Sequence, residues 1–381
     1  MAETVTGTAY STNLTVETPI DIDDMIYVLS PKDLPLLFGV NSDGLPLLPS
    51  APTGDTTYYW LEEDVLLPRG TLNEALDNTE TGIDVATGDG AKFRVGDAIR
   101  IEDEIMTVTA VATDTLTVTR GTAGTAAATH VTGLEVVGLG SYVAEGSIVT
   151  NNMKGRDKYS NHTQIHSAKL SMSRTEQGIR KYGVPVELAR QTMNNMQHFM
   201  QSQEQNVLYG VKAMSSTLRM SGGLDHFITT NEDSTSEWLT VDVVEAMQQA
   251  AYDEGGMWDV LMAQPKAFGA LNNTLGQERI QTVTVDDPRR GRQPATRVIT
   301  EFGEVTLHRH RWVRKTDAFG IKRGNIVRRV FQPTVMQPLA KTDDTDSFMV
   351  VGEFGLLVKG QAHMCKFSGL DTSAAMPADL V

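Results

Sequence analysis

The histidines and clustered acids are the residues of this sequence best suited to chemistry. His162 and His166 have the i,i+4 spacing with which two imidazoles on one helix hold zinc. Thr163, however, stands where a metalloprotease helix carries its glutamate base, and SNHTQIHSAKLSMS reads as extended chain, in which the two rings separate. His308 and His310 alternate with Arg309 and Arg311. On a strand they make a basic patch, whose plainer use is ion pairing at a subunit interface. Glu62, Glu63 and Asp64, like Asp343 and Asp344, could meet a divalent ion, but neighbouring strand residues face opposite ways, so a solvated surface is expected.

Gly88-Asp89-Gly90 lacks the third glycine of a dinucleotide fingerprint, since Phe93 takes that position, and reads as a turn. The sequence holds no nucleophile elbow, phosphate-cradling Lys-Ser/Thr loop or cysteine-nucleophile signature. Cys365 is the only cysteine, which excludes an intrachain disulfide or a cysteine metal cluster and suits a reducing compartment. Asn161-His162-Thr163 matches a glycosylation sequon, without meaning in a chain lacking a secretion signal. The expectation is therefore no catalytic residue, no cofactor and no metal.

These residues sit on a chain of 381 with 40% hydrophobic content, enough for a sizeable core and two or three domains. Against 33 Lys+Arg stand 48 Asp+Glu, and the net charge of −15 argues against binding driven by phosphate neutralisation or by an anionic membrane surface. MAETVTGTAYSTNLTVETPIDIDD has neither the basic region nor the apolar run of a signal peptide, and no stretch is apolar for long enough to span a bilayer. A soluble protein made in the cytoplasm is expected.

The central element is a long amphipathic helix expected over Val186–Lys212, with Ala189, Met193, Met196, Met200, Val207 and Val211 in one stripe that Gln203 interrupts. Before it, residues 1–30 read as an extended arm, SPKDLPLLFGV as a short helical turn, and TTYYWLEEDVLL (Thr56–Leu67) as an exposed strand. Between Thr79 and Gly140 the runs DAIRIEDE, MTVTAV, TLTVTRG and GLEVVGL, separated by turn signals, predict a small inserted β-barrel or sandwich. After the helix, Gly222–Gly223 breaks the pattern, and helices are expected at Thr240–Tyr252 and Gln264–Leu275. ERIQTVTVDDPRRGRQPATR then reads as a mobile loop. Strands follow in EVTLHRHRWVRK, NIVRRVFQP and DSFMVVGEFGLLVKGQAHMCKF.

The order of these pieces, from the acidic arm through the SPKDLPLLF turn, the Tyr59-Trp60-Leu61-Glu62 strand, the return through EGSIV and SNHTQIHSAKLSMS and the Met-rich helix, resembles the major capsid proteins of tailed bacteriophages. The likeness continues through GLDHFITTN, EFGEVTLHRHRWV and PLAKTDDTDSFMVVGEFGL. It implies the α+β Hong Kong 97-like fold. By it, residues 1–50 are an N-terminal arm, 51–78 and 141–168 the ascending and returning parts of an extended loop, and 79–140 a small all-β insertion. It further implies a peripheral domain at 169–236 around the spine helix 186–212, an axial domain at 237–338 and peripheral strands at 339–381.

The insertion resembles small β-domains of phage virion proteins through Arg120-Gly121, Gly124-Thr125 and His130, where the glycines mark turns and Arg120 and His130 are expected to satisfy backbone carbonyls. The function implied is structural. Copies would assemble into pentamers and hexamers of an icosahedral shell around double-stranded DNA, with a separate scaffolding protein, a portal and a decoration protein as partners and with no membrane. The chain departs from the type member in having no lysine on the ascending strand; Lys154 and Lys158 lie on the return, so no Lys–Asn crosslink is assigned. The alternative is another virion component of a tail or baseplate, for which the β insertion alone speaks.

Overall fold

The computed structural model describes residues 33–39, 48–63, 67–146, 155–179, 187–235, 238–271, 297–341 and 343–371. Most of the predicted arm, the loop 278–296 and the Ser30–Pro31 cap lie outside them. The chain divides into two compact units, one from Trp60 to Tyr159 and one made by the residues before and after it.

In chain order the strands are β1 (Ser50–Pro52), β2 (Thr57–Glu62), β3 (Arg69–Thr71), β4 (Gly82–Asp84), β5 (Asp97–Ile101), β6 (Glu104–Ala112), β7 (Thr115–Thr119), β8 (Glu135–Ser141), β9 (Asp157–His162) and β10 (Gln164–Ser173). Helices α1 (Arg174–Gly178) and α2 (Glu187–Tyr209) follow, then β11 (Ala213–Ser215), β12 (Leu218–Met220), α3 (Leu224–Phe227), β13 (Glu232–Asp233) and α4 (Val241–Asp253). The chain ends with β14 (Val260–Ala263), β15 (Arg297–Thr300), β16 (Gly303–Arg309), β17 (Ala318–Ile321), β18 (Ile326–Pro338), β19 (Thr345–Val358) and β20 (Cys365–Phe367).

In the first unit, a four-stranded sheet has the order β1-β18-β19-β10, and α2 packs on it. The helix and the sheet are joined by Val207 and Leu208 with Phe354 and Leu356 in the core, and by a 2.9 Å bond from Asn206 Nδ2 to Gln164 Oε1. A six-stranded sheet, β13-β20-β17-β14-β16-β15, supports α4 and a second core around Trp258, Phe268 and Phe367. Its central strand β14, VLMA, is buried throughout, although it is not among the expected elements. Thr240 caps α4 by accepting from Val243 N–H, the expected start. The Gly222–Gly223 break allows close approach: a Cβ at Gly223 would run into the carbonyl oxygens of Asn206 and Val207 near the end of α2.

Several expectations need correction. The helix spans Glu187–Tyr209, and its buried side is Phe199, Gln203, Glu204, Val207 and Leu208, whereas Met193 of the predicted stripe is 68% exposed. The expected stripe omits Phe199 and Leu208, and the core is reached by the second half of the helix, which takes two polar residues with it. The helix predicted from Gln264 begins at Ala267, because Gln264 Nε2 donates to Val313 O at 2.7 Å and ties that residue to a neighbouring turn. Strand EVTLHRHRWVRK stops at Arg309, and residues 311–312 form a turn.

Sheet membership also crosses the expected boundaries. Strand β18, placed in the axial domain by the limit at 338, pairs with β19 and β1. Strands β13 and β20, placed peripherally, pair with each other in the six-stranded sheet. The last strands of the chain alternate between the two sheets.

In the second unit the strand order is β3-β8-β5-β6-β7-β4. Leu72 bridges Val85 just beyond the two edge strands, with bonds from Ala86 N to Thr71 O and from Asn73 N to Asp84 O, both 2.8 Å, so the sheet closes on itself. Its inward residues, including Ile83, Ile99, Ile101, Met106, Leu116 and Val136, form a core of their own. The sheet begins at Arg69 rather than Thr79. The segment RGT lacks the apolar alternation that marks the later strands, and it joins by pairing with Glu135–Val137.

Candidate functional site

The predicted chemical residues that the structure describes have structural partners; Asp64 lies outside the described residues. His162 ends β9, and its Nδ1 lies 3.0 Å from Thr57 Oγ1; His166 lies on β10 and stacks on Phe354 with ring centroids 4.8 Å apart. Burial, reinforced by the nearby Arg328 guanidinium, brings the His166 imidazole down to about 4, so it is neutral at pH 7. Burial, with Lys212 and Arg219, lowers His162 as well. Thr163, between them, donates to Glu353 and accepts no role as a base. The helical spacing is lost because the two histidines stand on successive strands.

His308 and His310 are both buried, so they contribute to no exposed basic patch. Their rings meet edge to face at 6.0 Å. His310 Nδ1 accepts from Trp312 N–H at 3.3 Å, which leaves the ring proton on Nε2, and Nε2 donates to Glu204 at 3.2 Å. Arg311 instead reaches the surface and pairs with Asp33 at 2.5 Å. The acidic clusters are similarly engaged: Glu62 accepts from Trp60 Nε1, Glu63 pairs with Arg156, and Asp344 pairs with Arg174.

In the second unit, Arg120 makes the carbonyl contacts expected of it, to Asp77, Glu80 and Ala128, while also forking onto both oxygens of Glu104 at 2.7 Å. His130 departs from expectation: it bonds the carboxylates of Glu102 at 2.9 Å and Glu104 at 3.0 Å. Burial alone would raise the Glu104 carboxyl, but Arg120, the Ala128 and Gly121 N–H groups and His130 outweigh it and bring it down to about 2. The sequence DEIMTV gives no sign that its glutamate points inward, beyond its even spacing with Met106 and Val108 on β6.

The remaining features of interest are surfaces and fastenings. On β2, Tyr58 and Trp60 are buried while Tyr59 and Leu61 face solvent. Paired with β9, this short ladder is fixed at its base by Tyr58 Oη donating to Leu356 O at 2.8 Å. Asn161 Nδ2 donates to the same carbonyl and to Gly222 O, and Asn161 Oδ1 accepts from Gly222 N–H. Asn161, Glu204 and Glu353 are polar core residues that pattern reading passes over, because a buried polar side chain is defined by partners distant in sequence.

Residues 4–371 match the family model described as SU10 major capsid protein. No curated protein matches the sequence. Among solved structures, one from Mycobacterium phage Bobi is similar with a TM-score of 0.50 at 10% identity, covering 96% of this chain and 100% of that one. The capsid of an empty GTA particle is similar with a TM-score of 0.50 at 8% identity, again covering 96% and 100%. At such identities the likeness speaks for the fold, and the family match carries the function. The chain belongs to the SU10 major capsid protein family: it is a structural, non-enzymatic subunit of the icosahedral phage head shell, built on the Hong Kong 97-like fold.

Proposed function

We propose that the unit Trp60–Tyr159 is a domain inserted into the extended loop of this capsid protein and displayed on the outside of the head. The observation that carries this reading is its self-contained core together with the paired strands β2 and β9, which lead the chain out and back. Strands β2 and β9 are then the base of the extended loop, and Tyr59 and Leu61 are the side chains it offers to a neighbouring copy. Helix α2 with the four-stranded sheet is the peripheral domain, and the six-stranded sheet with α4 is the axial domain, now including β13 and β20.

Copies close into pentamers and hexamers through heterologous contacts, many modest surfaces adding up across the shell. A separate scaffolding protein, a portal and a decoration protein are the partners this reading implies, and the excess of acidic residues keeps the subunit from adhering to the enclosed double-stranded DNA. A tail or baseplate role, which the β unit alone suggested, has no support from a family match that extends over both units.

Electron microscopy of the protein expressed alone and with its scaffold tests this. Closed shells or rings carrying a small protrusion at each subunit are expected. Shells with that density on the inner wall would refute the external placement, and a discrete trimer under both conditions would refute the ring assembly.

A further inference from the structure

The segment Asp33–Phe38 is fastened from one side by a single buried carboxylate. Glu204 of α2 has no exposed surface, and its Oε1 accepts from Leu36 N–H at 2.7 Å while Oε2 accepts from Leu37 N–H at 3.1 Å. The two amides are successive members of the turn at residues 35–38, so one carboxylate satisfies both as a helix-end anion would. His310, held as the Nε2–H tautomer, supplies the third donor. Around this point Trp312 Nε1 donates to Asp33 O at 2.7 Å, Arg311 pairs with the Asp33 carboxylate, and Leu48 N donates to Leu36 O at 3.2 Å. Leu36 and Leu37 enter the core beside Val207 and Leu208.

A plain apolar contact would have held this segment without the cost of burying a charge. A carboxylate that meets two adjacent backbone N–H groups sets the backbone geometry of the turn it meets. We propose that Glu204 is the lock of an N-terminal strap: it seats residues 33–38 against the spine helix, and shell closure depends on that seating. This rests on the shell assignment only for its assembly consequence. The seating itself is a property of the single subunit.

The test uses the full-length chain with Glu204→Gln. The amide oxygen can serve as one acceptor, but its NH2 group faces a backbone donor. Hydrogen exchange at Leu36 and Leu37 is expected to rise about tenfold or more, while amides of α2 keep their protection, and the yield of closed shells in electron micrographs falls. Unchanged exchange at both amides would overturn the lock. Faster exchange with an unchanged shell yield would overturn its role in closure while leaving the capsid assignment intact. Should E204Q fail to fold, Trp312→Phe removes only the indole bond to Asp33 and leaves the carboxylate. Faster exchange at residues 33–38 with α2 unchanged is then expected, and wild-type exchange there would count against the strap.

Discussion

In the unit Trp60–Tyr159 the buried carboxylate Glu104 is met by a forked guanidinium, an imidazole and the N–H groups of Gly121 and Ala128. In the remainder of the chain the buried carboxylate Glu204 is met by two backbone N–H groups and the His310 imidazole. The first arrangement pairs charge with charge inside a closed sheet, so it stiffens a unit that has only a small core. The second joins segments far apart in sequence, residues 36–37, 204 and 310, so it ties a terminus to a fold that already has two cores. The same side chain therefore serves local rigidity in one unit and long-range fastening in the other.

The largest expected effects come from removing the partner of each kind of core. Arg120→Ala leaves Glu104 buried without its counter-charge and is expected to cost about 3–5 kcal/mol, lowering the unfolding midpoint of the second unit while leaving the first unchanged. Phe354→Ala, which removes the ring between His166 and Arg328, is expected to cost a similar ~3–5 kcal/mol in the first unit alone. Denaturant unfolding followed by amide exchange at Met106 and Val108 for one unit, and at Leu356 and Val358 for the other, separates the two. A single shared transition in either variant would break the comparison.

Acid should next distinguish the units. The Glu104 carboxyl lies at about 2 in the fold against 4.5 when free, so its stabilisation is complete above pH 4.5 and is lost as pH falls toward 2. His166 lies at about 4 against 6.5, so below pH 6.5 the unfolded chain takes up a proton that the fold refuses, and stability falls from pH 6.5 to 4 without recovery below. Each contribution is about 3 kcal/mol. Protection at Leu356 is expected to weaken by pH 5 while that at Met106 persists. The opposite order would contradict both assignments. His166→Phe should flatten the decline between pH 6.5 and 4.

Smaller effects sharpen the picture. Thr240→Ala removes the cap of α4 and is expected to cost about 1 kcal/mol in the first unit. Arg156→Ala breaks an exposed pair with Glu63 and should change stability by less than ~1 kcal/mol. A thermal melt of each variant checks both.

Elements set by local pattern were legible before the structure. The Thr240 start of α4 and the strand within Thr56–Leu67 each depend on residues a few positions apart, whereas the VLMA strand is not among the expected elements. The polar core was not legible. Glu204 is internal because of Leu36 and His310, and Glu104 because of Arg120 and His130, and a single chain read in order carries no sign of such meetings. The Met-rich stripe misled for the same reason: Met193 is apolar and correctly spaced, yet it is 68% exposed, and the residues of α2 that are buried among the described residues all lie in its second half. The i,i+4 spacing of His162 and His166 carries no helical meaning in extended chain, and the two residues fall on either side of a strand junction.

The central claim is that a shell subunit carries a separately cored barrel whose removal leaves the shell-forming unit intact. The most direct test replaces residues 68–142 with a short Gly/Ser linker and compares particles from the two chains by cryo-electron microscopy. Shells of unchanged diameter that lack only the surface protrusion are expected. Failure of the shortened chain to form any shell or ring, with its α4 and β19 amides still protected, would show that the barrel is part of the assembly interface and would contradict the claim.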